Sequence, residues 1–347
     1  MLSARGLTYE RPTVTAESLE QYIHTRDPVL GWPAPSRQTR APYDVIGARQ
    51  SPAFPDPTTA PCVATFGDSF TFGDQVTPEE AYPNRLAVRL GCRVNNYGVG
   101  GYGTDQALIR FRVMQDPAPI VVFAHYSDNI TRNVNRFRNL IAPSRGLGFK
   151  PRFVVRNRLE LLPIPTPPSV AAISDLSGSW ISNEYFLPGG DAGIVEPGFP
   201  YTPKALRMLC NYRIRARLAG VPSYAPFYAA DHPSHALAVT VAILVAARDE
   251  ASARRQTPVL VVLPDHKDVE AAIAHKPLSY QPLLDALSQR RIETPNVMKA
   301  MLDFLDGDES VCALFINCSE HYTPAGYDLV AQVIYDWIVN RRLMPPG

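Results

Sequence analysis

Charge of one sign is what this sequence lacks most plainly: 34 Lys and Arg stand against 33 Asp and Glu, a formal +1 over 347 residues. With no net field to attract a polyanion, nucleic acid and anionic membrane surfaces are poor partners. A small molecule or a neutral polymer is expected instead. Cysteine is scarce, and Cys62, Cys92, Cys210, Cys312 and Cys318 are odd in number with no CxxC spacing. That pattern argues against a disulfide framework and against a zinc site. Long apolar runs are also missing. The longest, ALAVTVAILVAA at 236–247, is too short to span a bilayer. The opening MLSARGLTYERPTVTAESLEQY has no apolar stretch of signal-peptide length. A cytoplasmic location without a membrane span is the resulting expectation. No internal repeat or low-complexity tract is present.

What is present is material for a core. Hydrophobic residues make up 46% of the chain, enough for one large domain or two modest ones. The 34 prolines concentrate in residues 28–61 and 151–233, which read as irregular, turn-rich structure. Elsewhere strand and helix signals alternate. Cys62–Phe66 reads as a strand, AVRLGCRVNNYG holds one ending near Asn96, TDQALIRFRVMQ reads as a helix, and APIVVFAHYS is a buried strand of the parallel type. HALAVTVAILVAARDEASARR is a helix and TPVLVVLPDH another apolar strand. This alternation predicts right-handed βαβ units on a parallel sheet. In the last helix Thr323 can cap and Pro324 fits the first position, with Leu329, Val330, Val333, Ile334, Trp337 and Ile338 on one face. Residues 141–235 read as an insertion, with a hairpin in RFVVRNRLELL across Arg156 and Asn157.

The stretch CVATFGDSFTFGD, 62–74, runs a strand straight into Gly-Asp-Ser. A hydroxyl at Ser69 would then sit at the carboxyl end of a strand, where open α/β sheets bind ligands. A lone Gly-Asp-Ser is most often just a turn. A serine nucleophile needs a base within hydrogen-bond reach and donors aimed at the oxyanion. Asp68 beside it reads as structural, holding the turn by side-chain to backbone hydrogen bonds.

FGDSFTFGD resembles the first block of the SGNH or GDSL hydrolase family, and three further blocks follow in that family's order. NNYGVGGYGTDQ is similar to the second, and the match makes the Gly101 N–H an oxyanion donor, with Gly98, Gly100 and Gly103 permitting close backbone approach. After the strand IVVFAHY, SDNITRN stands for the third block, and the likeness assigns the oxyanion amide to Asn129 rather than Asn133, without the usual Gly-x-Asn-Asp. CSEHYTPAGYDLVA is similar to the last block and makes His321 the general base. The family's aspartate is missing: Cys318 and Ser319 hold its positions. Glu320, a backbone carbonyl or an acid from another loop could orient the imidazole in its place.

The resemblance implies a three-layer α/β/α sandwich, SGNH or flavodoxin-like, with a mostly parallel five-stranded sheet. Residues 1–61 would form an N-terminal extension packed on the core, with Trp32 in an aromatic contact, followed by the hydrolase domain at 62–347. It implies a serine ester hydrolase working through an acyl-enzyme on a small acyl group of a carbohydrate or other alcohol, with no cofactor. An O-acyltransferase using the same Ser/His pair and a non-catalytic binding protein are the alternatives. Asp231, His232 and His235, with Asp265 and His266, lack zinc-motif spacing, and DHPSH reads better as a helix cap. The basic run Arg132–Arg145 reads as a solvated face rather than a grip on an acidic substrate.

Overall fold

The computed structural model describes residues 7–31, 43–142, 146–306 and 310–344. Trp32 lies outside them. The chain divides into two compact units, Met1–Pro35 with Ile130–Val239, and Ser36–Asn129 with Thr240–Gly347.

The second unit holds the sheet. Its strands are β1 (Pro61–Phe66), β2 (Arg93–Asn96) and β3 (Ile120–Tyr126). The first unit holds β4 (Arg152–Val155) and β5 (Leu159–Leu162), and β6 (Thr257–Leu263) returns to the sheet. The order is β2-β1-β3-β6, every pairing parallel. All seven residues of β3, IVVFAHY, are buried, as expected of a central parallel strand covered on both faces. Phe66 organises the core beneath it, stacked on Tyr97 at 5.0 Å and meeting Phe111 edge-on at 5.5 Å.

The sheet has four strands among the described residues, not the five expected. Beyond β6 the chain forms helices His266–Ile273, Gln281–Ser288 and Val297–Phe304, then two 3₁₀ turns. In the second of these Asn317 and Cys318 have φ of 49° and 62°, a left-handed backbone that cannot extend into a strand.

The absence of a disulfide framework is also overturned. Cys62 bridges Cys92, and Cys312 bridges Cys318, leaving Cys210 exposed and free. Cys62 and Cys92 are 30 residues apart in sequence, but β1 and β2 are neighbours, so their Cα atoms stand 6.0 Å apart. Only the pairing of strands brings these thiols together. Bridges of this kind persist in oxidising compartments, which pulls against the cytoplasmic expectation. No helix among the described residues is long and apolar enough to cross a membrane.

The last helix runs Pro324–Asn340, with the Gly326 N–H donating to Thr323 Oγ1 at 3.2 Å. Val330, Ile334 and Ile338 are fully buried, while Leu329, Val333 and Trp337 flank that stripe half-exposed. Arg89, on helix Tyr82–Leu90, donates to Asp328 Oδ1 at 2.8 Å and Gln332 Oε1 at 3.0 Å.

In the first unit, β4 and β5 pair antiparallel around the turn at 156–158, as the sequence suggests. Helix Ala16–Thr25 lays Tyr22 on Phe149, ring centres 5.6 Å apart, and the Phe149 N–H donates to Tyr22 Oη at 2.8 Å. The run from Arg132 is no solvated face. Asn133, Asn135, Arg136, Phe137 and Asn139 are all buried, with the Arg136 and Phe137 N–H groups donating to Glu184 Oε1 at 2.8 and 2.9 Å. Burial pushes the Glu184 carboxyl up to about 7, against the pull of those donors and of Arg152 and Arg136.

Candidate active site

β1 ends at Phe66, paired with Phe123, and the chain leaves the sheet through Gly67 and Asp68 into the short helix Ser69–Phe72. Asp68 caps that turn, its Oδ1 accepting the Phe70 N–H at 3.0 Å. The Gly73 and Asp74 N–H groups donate to the Ser69 carbonyl at 2.8 and 3.0 Å, closing the turn behind the serine. Ser69 itself is 6% exposed.

The loop after β2 is tied to this turn. Tyr97 N–H donates to Thr65 O at 2.9 Å and Val99 N–H to Gly67 O at 3.3 Å. Asn96 Nδ2 donates to Thr71 O at 2.9 Å. A Cβ at Gly98 would stand 2.2 Å from Phe72 N and 2.6 Å from Thr71 C, so only glycine lets the loop lie against the serine turn. Gly101 follows in the same loop with φ +78°.

Asn129 begins the short helix Asn129–Arg132, three residues beyond the end of β3. Its carboxamide is 1% exposed, and neither Nδ2 nor Oδ1 has a hydrogen-bond partner among the described residues. A buried amide that satisfies nothing is uncommon, because its desolvation goes uncompensated. Asn133 falls in the other unit. Ser69, Gly101 and Asn129 thus follow the carboxyl ends of three adjacent parallel strands, the edge at which such sheets bind ligands.

His321 precedes the final helix and is drawn to the serine turn by aromatic packing. Phe70, next to Ser69, stacks on Tyr126 with ring centres 3.9 Å apart. The His321 ring lies 4.8 Å and the Tyr322 ring 4.7 Å from the same phenyl. Tyr126 is itself fixed by a short hydrogen bond from its hydroxyl to Asp265 Oδ2, and burial followed by the Asp265 charge pushes that phenol well up.

Beside the His321 imidazole stands an amide. Gln75 Oε1 lies 2.6 Å from His321 Nδ1 and also accepts the His321 backbone N–H at 3.3 Å. Gln75 Nε2 donates in a short hydrogen bond to Glu320 Oε2, and Asn317 Nδ2 donates to Glu320 Oε1 at 3.2 Å. Those donors, Gln75 first, hold the Glu320 carboxyl below its ordinary range. On the other side of the ring, Asp74 Oδ2 stands 4.0 Å from Nε2. Burial raises the Asp74 carboxyl, opposed by the Arg49 charge.

Sequence reasoning missed Gln75, Phe70 and Tyr126. Gln75 carried a weak signal, a polar residue directly after FGDSFTFGD, but its partner lies 246 residues further on. No group of three or more His, Cys, Asp and Glu suited to a metal occurs among the described residues. Asp265 caps helix His266–Ile273, and His232 Nδ1 lies 2.7 Å from Ser234 Oγ, whose hydroxyl accepts the Ala236 N–H at the start of helix Ala236–Ala253.

No protein-family model and no curated protein matches the chain. Among solved structures it is similar to the lipase/acylhydrolase from Enterococcus faecalis, at 13% identity over 82% of this chain and 97% of that one, TM-score 0.40. It is similar to a member of the lipolytic protein G-D-S-L family from Veillonella parvula, at 11% over 81% and 98%, TM-score 0.37. A third is a catalytic mutant of an acetylxylan esterase from Geobacillus stearothermophilus, at 10% over 82% and 96%, TM-score 0.38. The residues of this chain, rather than these likenesses, carry its chemistry.

Proposed function

We infer that the protein is a serine ester hydrolase of the SGNH type, acting on a small acyl group carried by a carbohydrate or another alcohol. The observation that carries the reading is Asn129: a buried carboxamide with no hydrogen-bond partner among the described residues, just past the carboxyl end of β3, the strand beside the one that leads into Ser69. Such a group is costly unless a substrate oxygen completes it.

In this mechanism Ser69 Oγ attacks the acyl carbonyl while His321 Nε2 takes its proton. The oxyanion accepts hydrogen bonds from the N–H groups of Ser69 and Gly101 and from Asn129 Nδ2. Collapse breaks the ester bond, and the proton on Nε2 passes to the departing alkoxide. Water then repeats the sequence on the acylated Ser69, releasing the carboxylic acid. Four ordered sequence blocks support these roles, as do the packing of His321 on Phe70 and the engagement of Nδ1 by Gln75, which leaves Nε2 as the basic nitrogen.

The test is turnover of an aryl acetate together with labelling by a fluorophosphonate probe. Wild-type protein should do both and Ser69→Ala neither. Undiminished turnover in Ser69→Ala would refute the assignment, and an inert serine would favour a binding protein on the same scaffold.

A further inference from the structure

Resting on that reading of Ser69 and His321, we propose that Gln75, anchored by Glu320, is the positioning residue for His321, doing through an amide what a carboxylate does in a Ser-His-Asp arrangement. The acid of such a triad orients the imidazole and stabilises its charged form. Here these two tasks are divided between two side chains. Gln75 Oε1, 2.6 Å from Nδ1, accepts its proton and so selects the tautomer with a bare Nε2. Glu320 supplies the negative charge one hydrogen bond further out, through Gln75 Nε2.

The amide orientation follows from its neighbours. Glu320 can only accept when ionised, so the Gln75 NH₂ must face it and the Gln75 oxygen must face the ring. Asn317 holds the outer carboxylate oxygen at 3.2 Å, completing the chain Asn317–Glu320–Gln75–His321. Gln75 is placed by the serine turn itself, directly after Asp74, whose N–H donates to the Ser69 carbonyl at 3.0 Å. The same turn thereby presents the nucleophile and fixes the base. Among the described residues, the charged groups that face the ring include Glu320, through Gln75, and Asp74, whose carboxylate stands 4.0 Å from Nε2, beyond hydrogen-bond distance. From the serine turn Phe70 adds only its apolar ring.

The test is ¹⁵N NMR of histidine-labelled full-length protein, with His321 assigned from the His321→Asn difference spectrum, beside kinetics on an aryl acetate. In wild type the neutral ring should carry its proton on Nδ1. Gln75→Ala should move protons to Nε2 and lower kcat by about tenfold or more, with KM little changed. The double substitution Gln75→Glu with Glu320→Gln preserves the hydrogen bonds while bringing the charge next to the ring. It should keep the Nδ1–H tautomer, restore kcat and move the acidic limb of kcat/KM up by about one pH unit. An unchanged tautomer in folded Gln75→Ala overturns the inference whatever the activity. The expected tautomer shift without any Ser69-dependent turnover would leave the pairing standing and refute the hydrolase reading instead.

Discussion

The phenyl ring of Phe70 lies stacked on Tyr126 with centres 3.9 Å apart, and the same ring carries His321 at 4.8 Å. The residue after the proposed nucleophile Ser69 is thus the platform for the proposed base His321. Phe70 is 4% exposed, so Phe70→Ala should destabilise the protein by about 3–5 kcal/mol in denaturant titration. Phe70→Leu keeps most of the burial and loses the stacking surface. It should unfold with a smaller loss than Phe70→Ala, yet show a clear drop in kcat.

Asn129 separates function from stability in the opposite sense. Removing a buried amide that has no hydrogen-bond partner among the described residues should leave the thermal midpoint of Asn129→Ala unchanged or raised, while kcat falls by roughly 10²–10³-fold, as for loss of one oxyanion donor. A variant that loses stability and keeps kcat would show the amide to be structural.

The Cys62–Cys92 bridge closes a loop between neighbouring strands, with a sequence separation of 30. Its loss should cost about 3–4 kcal/mol by the chain-entropy argument. Scanning calorimetry of Cys62→Ser/Cys92→Ser against wild type, with and without reductant, measures this. An identical midpoint in all four samples would mean that the thiols are not joined in solution.

Glu184 makes stability depend on pH. Its carboxyl is raised to about 7 in the folded protein, so between its ordinary range near 4.5 and pH 7 the native state binds more protons than the unfolded one. Stability from this group is therefore fully present below about pH 4.5 and lost as pH rises through 7, by on the order of 3 kcal/mol. In Glu184→Gln that slope should flatten. The new amide oxygen can keep the Arg136 and Phe137 N–H bonds, and Asn135, whose Oδ1 has no partner among the described residues, can turn to accept from the new NH₂. Urea midpoints measured from pH 5 to 8 for both proteins decide it.

Much of this molecule was legible along the chain. The apolar runs at 62–66, 120–126 and 257–263 read as parallel strands because short apolar runs that alternate with helical segments fit strands buried inside a layered sheet. The serine turn, the glycine loop and the cap of the last helix were readable because each depends on residues within a few positions of one another: Asp68 with Phe70, Thr323 with Gly326. Asn133 and Arg136 misled for a complementary reason. Polar composition suggests solvent, and burial of such groups pays only when distant partners such as Glu184 meet them. The sequence by itself determined the strands, the serine turn after the first of them and the cap of the last helix, all through local chemistry. Tertiary structure alone decided the number of strands, the pairing of the cysteines, and the side chain that meets His321 Nδ1. Gln75 and His321 stand 246 positions apart and meet only because the serine turn and the final helix cap are folded against one aromatic ring.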